Sequence, residues 1–358
     1  MAEDQPTQKI VDYLIIGQGL AGSLVAYQAL KRNKRIHVID LPENNHCTKV
    51  APGLFNPVTG QNLVKSWLTD LVFPYLHDFY PELEQVTGKR FFYSLPLYRP
   101  FSNISEQNDW MAKSADPVYS EILEKIYGNT VFPELNDPHG GLLLKYCGFI
   151  DTSVMLEAVR KVLIDHGAFT SENFDHQRLD VDSTGVSYSG IRALKIVFCE
   201  GAHVSHNPWF SRLPIRPLKG EILEIKTAFS KQVIVNRGVY MVPSPHGMNW
   251  RVGSTYVLKN PTPVTTENGR HEIEMKLQSI YTQRFEVTGH EWGIRPTTVD
   301  RRPIIGAHPK SERIVIFNGL GTKGVSLAPY FSEMLIHWLD GKTTLNSEVD
   351  VTRYKSLY

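Results

Sequence analysis

Along the chain the first clear pattern is a β-rich apolar run, Ile10-Val11-Asp12-Tyr13-Leu14-Ile15-Ile16, broken by Gly17. From Leu20 to Lys31 the apolar positions take helical spacing, and Arg35-Ile36-His37-Val38-Ile39-Asp40 is again β-rich. The opening therefore predicts strand, glycine turn, helix, strand. Residues 66–90 place Trp67, Leu71, Tyr75, Phe79 and Leu83 at helical spacing, and Pro74 and Pro81 predict that this region is cut into short helices. From Phe91 to Arg99, Lys219 to Ile225, Val233 to Val242 and Asn249 to Val257, β-branched and aromatic runs alternate with Pro, Gly and Asn, which predicts a mixed or antiparallel sheet of a second domain. Met155 to His166 reads as a helix with Asp151, Thr152 and Ser153 as N-cap candidates. Residues 181–196 read as a hairpin pattern, and residues 193–199 as a buried strand ending in Glu200-Gly201-Ala202. Finally, Arg313 to Phe317 reads as a strand that enters Asn318-Gly319-Leu320-Gly321-Thr322-Lys323-Gly324 and then a helix from about Val325 to Leu339.

These elements predict an α/β chain in two domains. The expectation is a Rossmann-type, discontinuous nucleotide-binding domain from residues 1–60, 145–218 and 295–358. A substrate domain on a mixed or antiparallel sheet would then come from residues 61–144 and 219–294.

Gly17-Gln18-Gly19-Leu20-Ala21-Gly22 supplies the first chemistry. It matches G-x-G-x-x-G directly between a strand and a helix, where Gly17 allows the turn, Gly19 lets a pyrophosphate approach and Gly22 lets helix and strand pack. The helix N-terminus offers N–H groups and partial positive charge to phosphates. Asp40, closing the second strand, is placed to accept hydrogen bonds from a ribose, which argues for FAD or NAD over NADP.

Composition narrows the remaining classes. The chain has 358 residues, 42% apolar and 21% charged, as in ordinary globular proteins. With 38 basic against 37 acidic residues, no global field favours nucleic acid or an anionic membrane. Cys47, Cys147 and Cys199 are few and far apart and read as reduced, mostly buried thiols of a cytoplasmic protein. The apolar stretch Ile10 to Leu30 is interrupted by Asp12, Gln18 and glycines and follows an acidic start, so it reads as core and not as a signal or transmembrane segment. Neither C-x-x-C nor H-E-x-x-H occurs, and no metal is expected.

Further segments resemble the FAD-dependent D-amino-acid oxidase superfamily, closest in layout to its glycine oxidase and sarcosine oxidase branch. Val50-Ala51-Pro52-Gly53 is similar to the family's small-residue stretch beside the flavin, and Gly148-Phe149-Ile150-Asp151 resembles its segment before a helix. Cys199-Glu200-Gly201-Ala202 falls at its second Gly-Ala cofactor contact, and Pro217-Leu218-Lys219-Gly220-Glu221 resembles its P-x-[KR]-G-[EQ] strand. Most specific is the pair formed by residues 293–306, Gly-Ile-Arg-Pro-Thr-Thr-Val-Asp-Arg-Arg-Pro-Ile-Ile-Gly, and Gly319 to Gly324. A glycine turn opening a helix also suits the negative charge that develops on a reduced flavin, which favours FAD over NAD.

The resemblance implies a cofactor shell of Gly17, Gly19, Leu20, Ala21, Gly22, Asp40, Ala51, Gly53, Gly201, Ala202, Gly293, Gly319, Leu320, Gly321, Thr322, Lys323 and Gly324. It implies that Arg295 clamps a substrate carboxylate, that Tyr240 touches the same carboxylate, that Tyr256 forms a pocket wall, and that Lys323 lies close to the flavin. Trp67 and Trp292 are further candidates for the pocket. The implied reaction is hydride transfer to flavin N5 from the α-carbon of a small amino acid or N-substituted glycine, giving an imine that hydrolyses. Electrons would pass to oxygen or another acceptor. No cysteine lies in 318–324, and Val50 stands where another branch attaches FAD through histidine, so the expected FAD is non-covalent. Residues 50–61 depart from the glycine oxidase pattern and are somewhat like the FAD half of the bifunctional enzyme that trims carboxymethylaminomethyl-uridine in tRNA. That activity is the alternative reading.

Overall fold

A computed structural model describes residues 8–41, 47–60, 64–245 and 248–358. Residues 1–4, with the acidic start, and Gln61 lie outside the described residues.

The opening pattern folds as expected: strand Lys9–Ile16, helix Leu20–Lys31, strand Ile36–Asp40. Lys9–Ile16 pairs in parallel with Ile36–Asp40 on one side and with Ile191–Phe198 on the other. Phe169–Ser171 extends the sheet beyond Ile36–Asp40, in parallel. Strand Ile191–Phe198 forks on its far edge, pairing Val186–Tyr188 antiparallel through its first half and Ser311–Asn318 parallel through its second. Both faces of this sheet are covered, which explains why the strands are continuously apolar and not alternating. One apolar cluster joins Ile15 and Val38 to helices Leu20–Lys31, Thr69–Thr87, Thr152–Asp165 and Gly324–Leu339. The other joins Leu14, Ile16 and Ile39 to Phe174, Phe198 and Phe210.

Residues 66–90 differ from expectation. In place of short helices there is a single helix, Thr69–Thr87, with Pro74 and Pro81 inside it. Each interior proline removes one backbone hydrogen bond and costs roughly 3 kcal/mol. The helix also buries Val72, Phe73, Leu76, Phe79, Tyr80 and Leu83 along one continuous face, each stabilising by roughly 1.5–3 kcal/mol. Burial therefore outweighs the two lost bonds. Leu71, at the same spacing, is exposed.

The second sheet has eight strands in the order Phe285–Thr298, Ile215–Thr227, Asn249–Gly253, Val239–Pro243, Ile234–Arg237, Leu97–Pro100, Gly141–Leu144 and Leu123–Tyr127. All pairs are antiparallel except Ile234–Arg237 with Leu97–Pro100, so the sheet is mixed. Its rear face packs Tyr98, Val235, Met241 and Val252 against Ile273 and Leu277 of helix Glu267–Gln278. The expected boundaries at 218/219 and 294/295 both fall inside paired strands, Ile215–Thr227 and Phe285–Thr298. The front face looks into the cavity that contains the candidate site.

Candidate active site

A cavity of 1940 Å³ runs from the glycine turn of the first sheet to the front face of the second. Its end at the Gly17 to Gly22 turn is shaped by backbone. Gly17 has φ +94°, and a Cβ there would lie 2.6 Å from the Cys199 carbonyl oxygen. At Gly22 a Cβ would stand 1.8 Å from the Gly17 carbonyl oxygen, so helix and turn pack backbone to backbone. Gly19 caps helix Leu20–Lys31 without any side-chain cap, and no acidic residue occupies the first turn. Gly17, Gly19, Leu20 and Ala21 face the cavity with that helix end. The Leu20 N–H donates to Thr48 Oγ1 at 3.2 Å, and Thr48 is a wall residue that sequence reasoning missed.

Asp40 lies where expected, at the strand end, with Oδ2 buried and without a hydrogen-bond partner. Beside it stands a second acid not found from sequence: Glu172, whose Oε1 is likewise buried and unpartnered. Glu172 follows strand Phe169–Ser171, and Ser171 pairs with Asp40, so only the strand pairing brings the two carboxylates together. Two buried acceptors lacking donors, next to a capless helix N-terminus, fit the ribose and pyrophosphate of a dinucleotide.

Other expected cofactor contacts border the same cavity. Ala51, Gly53, Gly201, Ala202, Gly293, Leu320, Gly321, Thr322, Lys323 and Gly324 all line the cavity. Gly53 has φ +68° and approaches the Ile150 carbonyl oxygen so closely that a Cβ would stand 1.9 Å from it. Gly22 and Gly319 lie behind the wall. Gly319 turns the chain at φ +76° under Thr298, and its N–H donates to the Asn318 side chain at 2.8 Å. Asn318 Nδ2 in turn donates to the Gly201 carbonyl at 2.9 Å, tying the two glycine turns together, a role that sequence reasoning missed. The turn leads into helix Gly324–Leu339, with Lys323 at its N-cap. Burial depresses the Lys323 ammonium below the ordinary lysine range, and Arg301 pushes it the same way.

The second end of the cavity is built on the sheet's front face. Arg295 lies on strand Phe285–Thr298 opposite Leu218, and its guanidinium extends over the neighbouring strand. Gly220 is the floor beneath it, since a Cβ there would lie 2.3 Å from both Nη1 and Nη2. Nη2 donates to Ser254 Oγ at 2.8 Å, whereas Nη1 is buried with no partner. Gly253 leaves room for the Tyr240 hydroxyl, 2.9 Å from where its Cβ would be. That hydroxyl is buried beside Arg295 and Ser254 without a hydrogen bond of ordinary geometry. Burial raises its pKa well above the usual tyrosine range, outweighing the opposing pull of Arg295, so it is a neutral donor at physiological pH.

Tyr256 stacks over the Arg295 guanidinium at 5.3 Å but is 62% exposed, so it closes the mouth more than it lines the interior. Trp67 and Trp292 both reach the cavity, Trp67 while stacked on Phe331. Cys47 also lines it; desolvation raises its thiol pKa against the pull of Arg295. Gly220 and Ser254 are residues at the Arg295 end whose contacts sequence reasoning missed, because each is defined by what the folded chain places against Arg295. Among the described residues no group of His, Cys, Asp and Glu is arranged to hold a metal, and no helix is long and apolar enough to cross a membrane.

The sequence matches the family described as FAD dependent oxidoreductase (DAO) over residues 12–338. It is 23% identical over 377 residues to an uncharacterized oxidoreductase, YurR, of Bacillus subtilis, covering 96% of this chain and 97% of that protein. It is 22% identical over 323 residues to the tRNA 5-methylaminomethyl-2-thiouridine biosynthesis bifunctional protein MnmC of Idiomarina loihiensis, covering 79% of this chain and 52% of that longer protein. Among solved structures, glycine oxidase from Geobacillus kaustophilus superposes with a TM-score of 0.82 at 20% identity, over 96% of this chain and 99% of that one. Iminodiacetate oxidase from Chelativorans sp. BNC1 superposes with a TM-score of 0.80 at 18% identity, over 94% and 98%. With the match spanning nearly the whole chain and the glycine oxidase architecture reproduced, this protein belongs to the DAO family of FAD-dependent oxidoreductases.

Proposed function

We propose that this chain oxidises the C–N bond of a small amino acid or N-substituted glycine, held by its carboxylate in the cavity between the two sheets. The observation that carries this reading is the pair of unpartnered buried donors, Arg295 Nη1 and the Tyr240 hydroxyl, that share one corner of the cavity. A buried donor without an acceptor costs about 1–3 kcal/mol. One carboxylate would accept from both groups, with the planar guanidinium giving the stronger, charge-assisted contact.

FAD would occupy the nucleotide end, with Asp40 and Glu172 toward the ribose, the turn at Gly17 to Gly22 toward the pyrophosphate, and the Leu320 to Gly324 turn toward the flavin. When bound it would supply the acceptor for the hydride, which carries both electrons of the substrate C–H bond. The chain contributes orientation: Arg295 and Tyr240 fix the carboxylate, Ser254 and Gly220 hold Arg295 in place, and Tyr256 covers the clamp from solvent. Lys323 and the N-terminus of helix Gly324–Leu339 would offer positive charge to a flavin that becomes negative on reduction. The substrate's own amine lone pair drives the step, so no protein base is required. Segments 1–60, 145–218 and 295–358 would form most of the cofactor-binding unit and the remainder most of the substrate unit. The exceptions are helix Thr69–Thr87, which packs with the first sheet, and the ends of strands Ile215–Thr227 and Phe285–Thr298, with Arg295, which belong to the second.

We further propose that the FAD is held without a covalent bond, because no cysteine lies in 318–324 and Val50 stands at the other attachment position. Acid precipitation should then release the yellow cofactor into the supernatant.

The test is anaerobic titration of the holoenzyme with glycine, N-methylglycine and a panel of D- and L-amino acids, following bleaching of the flavin band. At least one member should bleach it. Arg295→Ala should lower kcat/KM about 100-fold while FAD content is retained. Gly220→Ala, which forces the guanidinium off its floor, should lower kcat/KM in the same direction. A wild-type rate in Arg295→Ala would remove the carboxylate assignment.

A further inference from the structure

Beyond the carboxylate clamp, the cavity has a second polar pole. In the front-face register, Gly253 pairs with Tyr240 and Tyr240 with Asn236. The next strand runs parallel, with Ile234 opposite Leu97 and Val235 opposite Tyr98, so Asn236 and Arg99 continue the same row. Tyr240, Asn236 and Arg99 all line the cavity. At roughly 4.8 Å per strand, Asn236 lies about 5 Å and Arg99 about 10 Å beyond Tyr240 along the sheet.

Two cations meet there. Arg99 pairs with Glu106 at 3.3 Å, and Glu106 is further engaged by the Ser102 N–H at 2.7 Å. Arg237, at the hairpin tip beside Asn236, is half-buried and also lines the cavity. It makes one hydrogen bond, to the Phe101 carbonyl at 3.2 Å, and no ion pair with a carboxylate among the described residues. Glu106 pairs with Arg99 and also acts on Arg237 through space, so two arginines share one carboxylate and the pole keeps one positive charge in excess. Two arginines in a half-dry wall with a single carboxylate between them are placed to take a second anion from a ligand.

Resting on the amino-acid oxidase reading above, we propose that the substrate is dianionic: an amino acid or N-substituted glycine whose extended substituent ends in a second carboxylate bound by Arg237, with Asn236 beside it. The first carboxylate sits on Arg295 and Tyr240, the oxidised C–N bond lies between the poles, and Asn236, about 5 Å from Tyr240 along the sheet and next to Arg237 in the chain, marks the span between them. A short monoanionic amine would fill only the Arg295 end.

The holoenzyme tests this with three probes: N-methylglycine, N-(4-carboxybutyl)glycine and the terminal amide of the latter, which has the same length without the second charge. Anaerobic bleaching and steady-state kcat/KM should favour the carboxylate over the amide by about tenfold or more. In Arg237→Gln that carboxylate-to-amide ratio should fall to about one, with the loss carried in KM. Equal rates for carboxylate and amide in the wild type, or a ratio unmoved in Arg237→Gln, would overturn the second-anion site while bleaching by N-methylglycine left the oxidase reading standing. If no probe bleached the flavin, both would fall together.

Discussion

Lys323 shows how much a single side chain depends on its surroundings. It stands at the N-cap of helix Gly324–Leu339, on the cavity wall, with its ammonium depressed by burial and by Arg301. A lysine with a lowered pKa carries its charge below that pKa and loses it as pH rises through it. The part of the rate that depends on this charge should therefore decline on the alkaline side, earlier than an ordinary lysine would dictate. A kcat profile with pH should show that limb in the wild type and lack it in Lys323→Met. In Arg301→Ala the limb should move to higher pH, because one of the two depressing influences is gone. Tyr240 will not produce such a limb near neutrality, since burial keeps its proton in place.

Among the elements, the glycine turn and its helix were the most legible feature of the chain, because G-x-G-x-x-G encodes backbone geometry directly. Gly22 makes the point quantitatively: a methyl group there meets the Gly17 carbonyl oxygen at 1.8 Å, a clash between two backbones that no rotamer can relieve. Gly22→Ala should lose most bound FAD and lower the thermal midpoint, measured by flavin absorbance per protein and by melting. Retention of full FAD content would show that helix Leu20–Lys31 can tilt away. The proline-bearing helix Thr69–Thr87 was less legible, because proline's local penalty is visible in sequence and the continuous buried face that outweighs it is not. Strand order was illegible for the same kind of reason. Glu172 joins Asp40 only through the Ser171–Asp40 pairing of two segments far apart in the chain.

At the scale of the whole molecule, the sheet bearing Arg295 is held from behind by a buried polar cluster. Lys219 and Glu221 are 2% and 1% exposed and pair at 2.7 Å. Glu221 also accepts from His290 Nε2 at 2.8 Å and from the N–H and hydroxyl of Thr266, the N-cap of helix Glu267–Gln278. Burial alone would raise the Glu221 pKa, but bonds from Lys219 and Thr266 overcome it and hold the carboxyl below its ordinary value. A depressed carboxyl stabilises the fold above its unfolded pKa, and that contribution is lost as pH falls through the folded value. Glu221→Gln should cost about 3 kcal/mol in denaturant unfolding near neutral pH, because it leaves Lys219 buried without its counter-charge. The variant should also lose part of the wild type's sensitivity to acid below the ordinary glutamate range. The sequence by itself determined what backbone and composition encode locally: the βαβ glycine turn, a second sheet of mixed or antiparallel type, a second glycine turn opening a helix and an arginine of the kind that suits a carboxylate. Only the tertiary structure decided which groups share a wall, because a site is defined by neighbours across strands. Glu172 beside Asp40, Gly220 under Arg295 and Arg237 beyond Tyr240 each acquire their chemistry from strand register, a long-range property that no local pattern of residues contains.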